Sequence, residues 1–246
     1  MTKKYLLLSG FAAFILLIAG IIVYVLLTVE VSETIEGDGN ITEEKREVQS
    51  FNQILVENSL KVYYARDDEF SIRVVADENL LEYIQTEVNE GQLTVTTPKN
   101  LKSDNLVIEV LGPDLSKIKT QARGGFYAHD TLRAENIEIK ATTESRIELL
   151  GQFGEMDLTV DSGARANFIG RSNVKRMNVR TGSEADLYRF ESDVVHVNVE
   201  NGGIAKVHAL QQISATGSGD GRIYYRGNPD FDQLDFSSGA GIDSRP

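Results

Sequence analysis

From Val48 onward, apolar and polar residues alternate with a period of two, the pattern of strands with one buried and one wet face. Residues 54–56, 60–64 and 71–75 are β-rich runs, and 106–111 is another, closed by Gly112-Pro113-Asp114. The stretches 85–88 and 92–96 flank Asn89-Glu90-Gly91, which predicts a hairpin. One break in the β pattern, residues 77–83, predicts a helical turn capped by Asp77.

In residues 117–246 the alternation becomes a repeat. An apolar-polar-apolar start recurs at Ile118, Ile137, Met156, Met177, Val195, Ile213 and Leu234, at spacings of 19, 19, 21, 18, 18 and 21 residues. The first and third residues of each unit are apolar except Thr120, and the second and fourth are polar throughout, from Lys119 and Gln121 to Asp235 and Ser237. A turn follows, usually with glycine, as at Gly163, Gly182 and Gly239. Ten residues after most starts an apolar file is predicted: Ala128, Ile147, Ala166, Leu187, Ala205 and Ile223, small and large in turn.

A unit of about 19 residues is too short for a βαβ repeat, which needs about 30, and too short to bury a face alone, so neighbours must stack. The predicted fold is all-β: a right-handed parallel β-helix or solenoid with coils of about 19 residues, preceded by one transmembrane helix. An antiparallel sandwich is the rival. It would not place successive strand starts in such consistent files.

The helix is expected at residues 5–29, a run of 25 without a charge, enough to span about 30 Å of hydrocarbon. Lys3 and Lys4 precede it and Glu30, Glu33 and Glu36 follow, which predicts a single-pass anchor with a cytoplasmic tail at 1–4 and the rest outside the cytoplasm. A cleaved signal peptide fits less well, because the run is long and lacks a small-residue end. An acidic tether and domain entry is expected at 30–47, a β-rich half at 48–116 and the repeat half at 117–246, with 48–246 one continuous domain.

Composition narrows the function. The chain has no cysteine, which excludes disulfides and thiolate-bound zinc. Its net charge is −12; without Lys3 and Lys4 the remainder carries 23 basic and 37 acidic residues, or −14. No basic stripe is visible, so nucleic acid is not an expected partner.

Four groups of residues have side chains or spacing that could carry chemistry. Gly217-Ser218-Gly219-Asp220-Gly221 resembles a phosphate loop, but a strand pattern follows it where a helix is required. Asp220 would share a row with Glu144 and Glu184, which glycines interrupt, so calcium is not expected. His129, His196 and His208 lack metal-pair spacing. Glu138 and Asp157 stack in adjacent coils among Lys119, Asn178, His196 and Ser214, with Lys140 nearby, and read as a salt-bridged surface. Of Tyr63-Tyr64 and Tyr224-Tyr225, alternation turns one of each pair inward. No catalytic, cofactor-binding or metal-binding residue is assigned, and no cofactor is expected.

Several motifs occur in the order found in a known family. They are Gly37-Asp38-Gly39-Asn40, then Arg46-Glu47-Val48 with Phe51-Asn52-Gln53-Ile54, then Ala76-Asp77-Glu78-Asn79-Leu80-Leu81, Gly217-Ser218-Gly219-Asp220, and Tyr224-Tyr225-Arg226-Gly227-Asn228-Pro229. Together they resemble the bacterial GIN-domain family, described as autotransporter-adhesin heads, across about 37–246. One Ser-Gly-Ser-Gly-Asp turn is intact; the others have drifted. The resemblance implies a solenoid-like envelope domain and offers no catalytic residues. The leading expectation is a membrane-anchored envelope domain that acts as a binding or scaffolding surface toward an envelope protein or glycan, without catalysis. A sensor or regulator acting through a membrane partner is the alternative. A glycan-active β-helix enzyme, with Glu138 and Asp157 as its acids, comes third.

Overall fold

The computed structural model describes Ile18 and residues 33–245. The unit Thr34–Pro246 is built almost wholly of strands. In chain order these are β1 (Thr34–Glu36), β2 (Ile41–Glu47), β3 (Gln53–Val56), β4 (Lys61–Arg66), β5 (Ser71–Asp77), β6 (Gln85–Asn89), β7 (Gln92–Thr96), β8 (Asn100–Lys102), β9 (Val107–Gly112), β10 (Lys117–Thr120), β11 (Gly125–Thr142), β12 (Arg146–Asp161), β13 (Arg165–Arg180), β14 (Glu184–Glu200), β15 (Ile204–Gly217), β16 (Arg222–Arg226), β17 (Asp230–Phe236) and β18 (Gly241–Ser244).

Strands β11 to β15 are long because each runs through the bends of a coil. In β11, residues 125–128, 131–134 and 136–142 pair in parallel with three successive stretches of β12. Three faces result. The first carries β9, β4, β11–β15, β16 and β18; the second, the middle stretches of β11–β15; the third, β7, β3, β10, β11–β15 and β17. All pairs within these faces are parallel, as a stack of like coils requires. Antiparallel pairs, β2–β5–β9 and β6–β7, occur only at the N-terminal end. The hairpin expected around Asn89-Glu90-Gly91 is the β6–β7 pair, with both turn residues at positive φ, 49° and 76°. The residues expected to form a tether include β2, which lies along β5.

A recurrent two-residue corner sets the coil. Both residues are left-handed at Asn58-Ser59, Ala122-Arg123, Thr143-Glu144, Ser162-Gly163, Thr181-Gly182, Asn201-Gly202, Gly219-Asp220 and Ser238-Gly239. The corners hydrogen-bond to one another, as Glu144 N to Ser162 O and Gly182 N to Asn201 O. Leu60 follows the first corner, but the residue after each of the seven later corners is small. A Cβ on Gly124 would lie 2.3 Å from the Val56 carbonyl oxygen, and one on Gly203 2.1 Å from that of Val179. The equivalent places hold Ser145, Ala164, Ser183, Gly221 and Ala240. This is why serine, glycine and alanine recur there.

Inward residues stack in files. On the third face, Ile118, Ile139, Leu158, Met177, Val197 and Ala215 form one file, and Ile137, Met156, Lys175, Val195 and Ile213 its neighbour. The predicted starts at Ile118, Met177 and Leu234 therefore belong two residues further along the unit than the others, and Lys175 occupies an inward place. The file predicted ten residues on is corrected in the same way. Ile147, Ala166, Ala205 and Ile223 share it with Phe126 and Ala185, whereas Ala128 and Leu187 lie in the adjacent file with Tyr64, Leu149 and Val207. The run Ala166, Ala185 and Ala205 is accommodated because the adjacent file supplies volume with Leu149, Phe168 and Leu187.

Two expectations are corrected. The 3-10 helix Glu78–Tyr83 follows Asp77, but Asp77 does not cap it. Its carboxylate accepts hydrogen bonds from Gly39 N (2.7 Å) and Ser103 Oγ (2.5 Å), tying the entry segment to the loop after β8. The membrane-spanning helix of the expected fold class is not supported: among the described residues no helix is long and apolar enough to cross a membrane. The 3-10 helix, six residues long, rises only about 12 Å at about 2.0 Å per residue, against about 30 Å of hydrocarbon. The expected span, 5–29, lies outside the described residues except for Ile18. The all-β solenoid stands without it.

Candidate functional site

The outward residues of the solenoid form ladders, because each coil repeats the pleat of the one before. On the third face one ladder reads Lys117, Glu138, Asp157, Arg176, His196, Ser214 and Gln233, and its neighbour Lys119, Lys140, Thr159, Asn178, Asn198, Thr216 and Asp235. Glu138 and Asp157 are brought side by side and each is ion-paired, as expected of a salt-bridged surface. Lys117 Nζ lies 2.5 Å from Glu138, and Arg176 Nη1 lies 2.8 Å from Glu155 and 3.7 Å from Asp157. The base beside Glu138 is Lys117 and not Lys140, because Lys140 belongs to the next ladder. Burial and the neighbouring Lys117 push the Lys119 ammonium below its usual range.

Bases answer acids one coil away at many places. Arg180 reaches Asp161 at 3.1 Å and Arg171 reaches Asp193 at 2.9 Å; in the antiparallel N-terminal strands Arg73 bridges Glu43 and Glu109. Lys206 meets both Glu184 and Asp186, and the Glu184 hydrogen bond holds its ammonium above the usual range. Such pairs fix the register of polar faces more than they add stability.

Along β14 and β15 these two ladders hold no carboxylate, lysine or arginine. Arg176, Asn178, His196, Asn198, Ser214, Thr216 and Gln233, with edges of Met177 and Val197, line a shallow groove of about 240 Å³. Within it Thr216 Oγ1 donates to Asn198 Oδ1, and Asn198 Nδ2 donates to Glu200, both at 2.9 Å. Amides and hydroxyls at strand spacing, held by their own hydrogen bonds, present paired donors and acceptors to a ligand rich in hydroxyls. Sequence reading noted several of these residues singly but not their sum.

On the first face Tyr63 is exposed and stacks on Tyr127 (centroids 5.4 Å apart), while Tyr64 is buried and donates from its hydroxyl to Pro113 O at 2.6 Å. Tyr224 lies under the Arg245 guanidinium at 4.7 Å, and Tyr225 packs against the core. The predicted division of each tyrosine pair is found. His129, His196 and His208 lie on separate stretches: His196 in the groove, His208 in register with Glu191 and Arg226. Asp220 does not share a row with Glu184, which pairs with Arg165 and Ile204; its corner stacks on Ser238. The strand β16 follows Gly221, so the glycine run is a corner of the coil.

Sequence reading missed Lys175. It is fully buried, with Nζ 3.4 Å from Phe190 O and 5.7 Å from the centre of the Phe190 ring. Burial pushes its ammonium down to about 7. The signal was present in the spacing. Counting to Lys175 gives 19 residues from Met156, in place of the 21 to Met177.

The fold is a parallel β-solenoid with long polar faces. The family model "Putative auto-transporter adhesin, head GIN domain" matches residues 50–229, and the chain belongs to that family. An adhesin-like envelope domain of this kind is an exported or surface protein. Solved structures share the fold. A putative adhesin from Bacteroides fragilis superposes with a TM-score of 0.80 at 16% identity, covering 86% of this chain and 100% of that one. A putative adhesin from Parabacteroides merdae gives 0.72 at 18% identity, covering 87% and 100%. A putative lipid binding protein from Parabacteroides distasonis gives 0.72 at 20% identity, with the same coverage. No curated protein sequence matches the chain.

Proposed function

We propose that this chain is a non-catalytic adhesin-like head that holds a bacterial envelope glycan along the third face. The observation that carries the reading is the neutral groove of Asn178, Asn198, Ser214 and Thr216, flanked by Arg176 and His196. In the preceding coils Glu138 and Asp157 are answered by Lys117 and Arg176; here uncharged donors and acceptors face outward in register. Uncharged polar ladders suit sugar hydroxyls, and a rigid backbone keeps them in place before binding. Family membership supports the adhesin character, and the acids at Glu138 and Asp157 are engaged in ion pairs where a glycosidase would need one free to donate a proton.

The test is retention of the full chain on immobilised bacterial envelope polysaccharides, comparing wild type with Asn198→Ala and Thr216→Val. Retention that falls at least tenfold in the variants supports the proposal. Equal retention by all three, or retention by none, overturns it. Retention lost only when an envelope protein is stripped from the polysaccharide identifies a protein partner instead.

A further inference from the structure

We propose that the free edge of β17 is a docking site for an extended, basic segment of another protein, which adds as the next strand of the third face. This rests on observations separate from the glycan groove. Strands β3, β10 and β11 to β15 have neighbours on both sides along this face, but β17 pairs only with β15 among the described residues. Its outer row of backbone N–H and C=O groups is a template for one more strand.

Two features of the side chains say what that strand carries. The inward residues of β17 continue the core files: Phe231 follows Ile213 and Leu234 follows Ala215. Ile213 and Ala215 are fully buried, whereas Phe231 is 46% and Leu234 48% exposed. An incoming strand with apolar residues on that side would cover them as β17 covers β15. The outward residues are Gln233 and three acids, Asp230, Asp232 and Asp235. Asp232 accepts a hydrogen bond from Ser214 Oγ at 3.0 Å, and none of the three has an ion pair among the described residues. In the coils behind, Glu138, Asp157, Asp161 and Asp186 each meet a lysine or arginine of an adjoining coil. The strand that would answer these aspartates is the one after β17, and by the same pattern it carries lysine or arginine.

A second copy of this chain does not fit. Edge-to-edge pairing of two β17 strands would set aspartate against aspartate in a chain of net charge −12. The competing role for the aspartates is protection, since charge on an edge strand discourages pairing. The two roles predict opposite results.

The probe is a blocked seven-residue peptide alternating lysine with valine. A glutamate-for-lysine peptide and a lysine peptide with a central proline serve as controls. Binding to the full chain is followed by fluorescence anisotropy, and amide hydrogen exchange is read across residues 230–236. The expected result is one peptide per chain, binding at least tenfold tighter than either control, with slowed exchange in β17. Asp232→Lys with Asp235→Lys reverses the preference between the lysine and glutamate peptides. Asn198→Ala, in the glycan groove, leaves peptide binding intact, so the two proposals fail separately. Equal binding of all peptides, or lysine-peptide binding indifferent to charge reversal, overturns the proposal. So does self-association of an Asp232→Asn/Asp235→Asn variant with no peptide binding by wild type, which would assign the aspartates to protection.

Discussion

Replacing Lys175 with methionine should stabilise the domain and change how its stability depends on pH. The side chain occupies a core file between Met156 and Val195, fully buried, with one long hydrogen bond to Phe190 O. Its ammonium falls from 10.5 to about 7, so the folded state disfavours the charged form by about 5 kcal/mol, at about 1.4 kcal/mol per pH unit. The sign follows from proton counting. Between pH 7 and 10.5 the unfolded chain holds a proton on Lys175 that the folded chain does not, so stability rises with pH across that window. The penalty is fully present below the folded value and gone above the unfolded one. Methionine keeps the length of the side chain and carries no charge to bury. Losing the Phe190 hydrogen bond costs about 1 kcal/mol, which leaves a net gain of about 3 kcal/mol at pH 7, shrinking to about 1 kcal/mol at pH 9. The measurement is urea unfolding followed by circular dichroism at pH 7, 8 and 9, wild type beside variant. A gain that does not shrink as pH rises would refute the burial argument, and a loss at pH 7 would show that the ammonium is paired and stabilising.

Three further outcomes follow from the corners and the entry segment. Gly203→Val should cost about 3 kcal/mol or more, because the new Cβ falls 2.1 Å from the Val179 carbonyl oxygen; a drop in thermal midpoint checks it. Glu144→Gly should raise stability by about 0.5–1 kcal/mol in urea unfolding, since Glu144 sits at φ 60° where glycine stands in the next three corners. Asp77→Asn should weaken the domain at neutral pH but not in acid. The Ser103 and Gly39 hydrogen bonds hold its carboxyl below 3.8, so its stabilisation is present above that value and lost as pH falls through the folded one. Thermal scans from pH 3 to 7 should show wild type converging on the variant.

The sequence carried the architecture because inside and outside alternate residue by residue. Strict alternation from Ile137 to Ile139 and from Met156 to Leu158 required half-buried strands, and spacing near 19 required stacking. Register was less legible. Turns of different length move a strand start by two residues without changing which side faces inward, so Met177 fits the pattern as well as Lys175 does by parity alone. Polarity then decided wrongly, because a lysine in a core file is rare. The neutral groove was hidden for a related reason: Asn178, Asn198 and Thr216 lie 18 to 20 residues apart, and only their register makes them one surface.

That separation also explains how chains at 16–20% identity can share the fold. Inward files and corners demand particular sizes: something small after the corners from Ala122-Arg123 onward, and volume shared between adjacent files. Outward positions are constrained mainly by charge, and the structure meets that constraint by setting bases beside acids in neighbouring coils. A surface built this way is register-locked, and ion pairs between coils offset part of its net negative charge. Departures from neutralisation are then informative in proportion to how regular the rest is. The groove departs by lacking charge where ion pairs would otherwise stand, and β17 departs by carrying acids with no base beyond them. Both lie on the third face toward its C-terminal end, so a ligand lying along that face would meet the uncharged ladder and the open strand edge together.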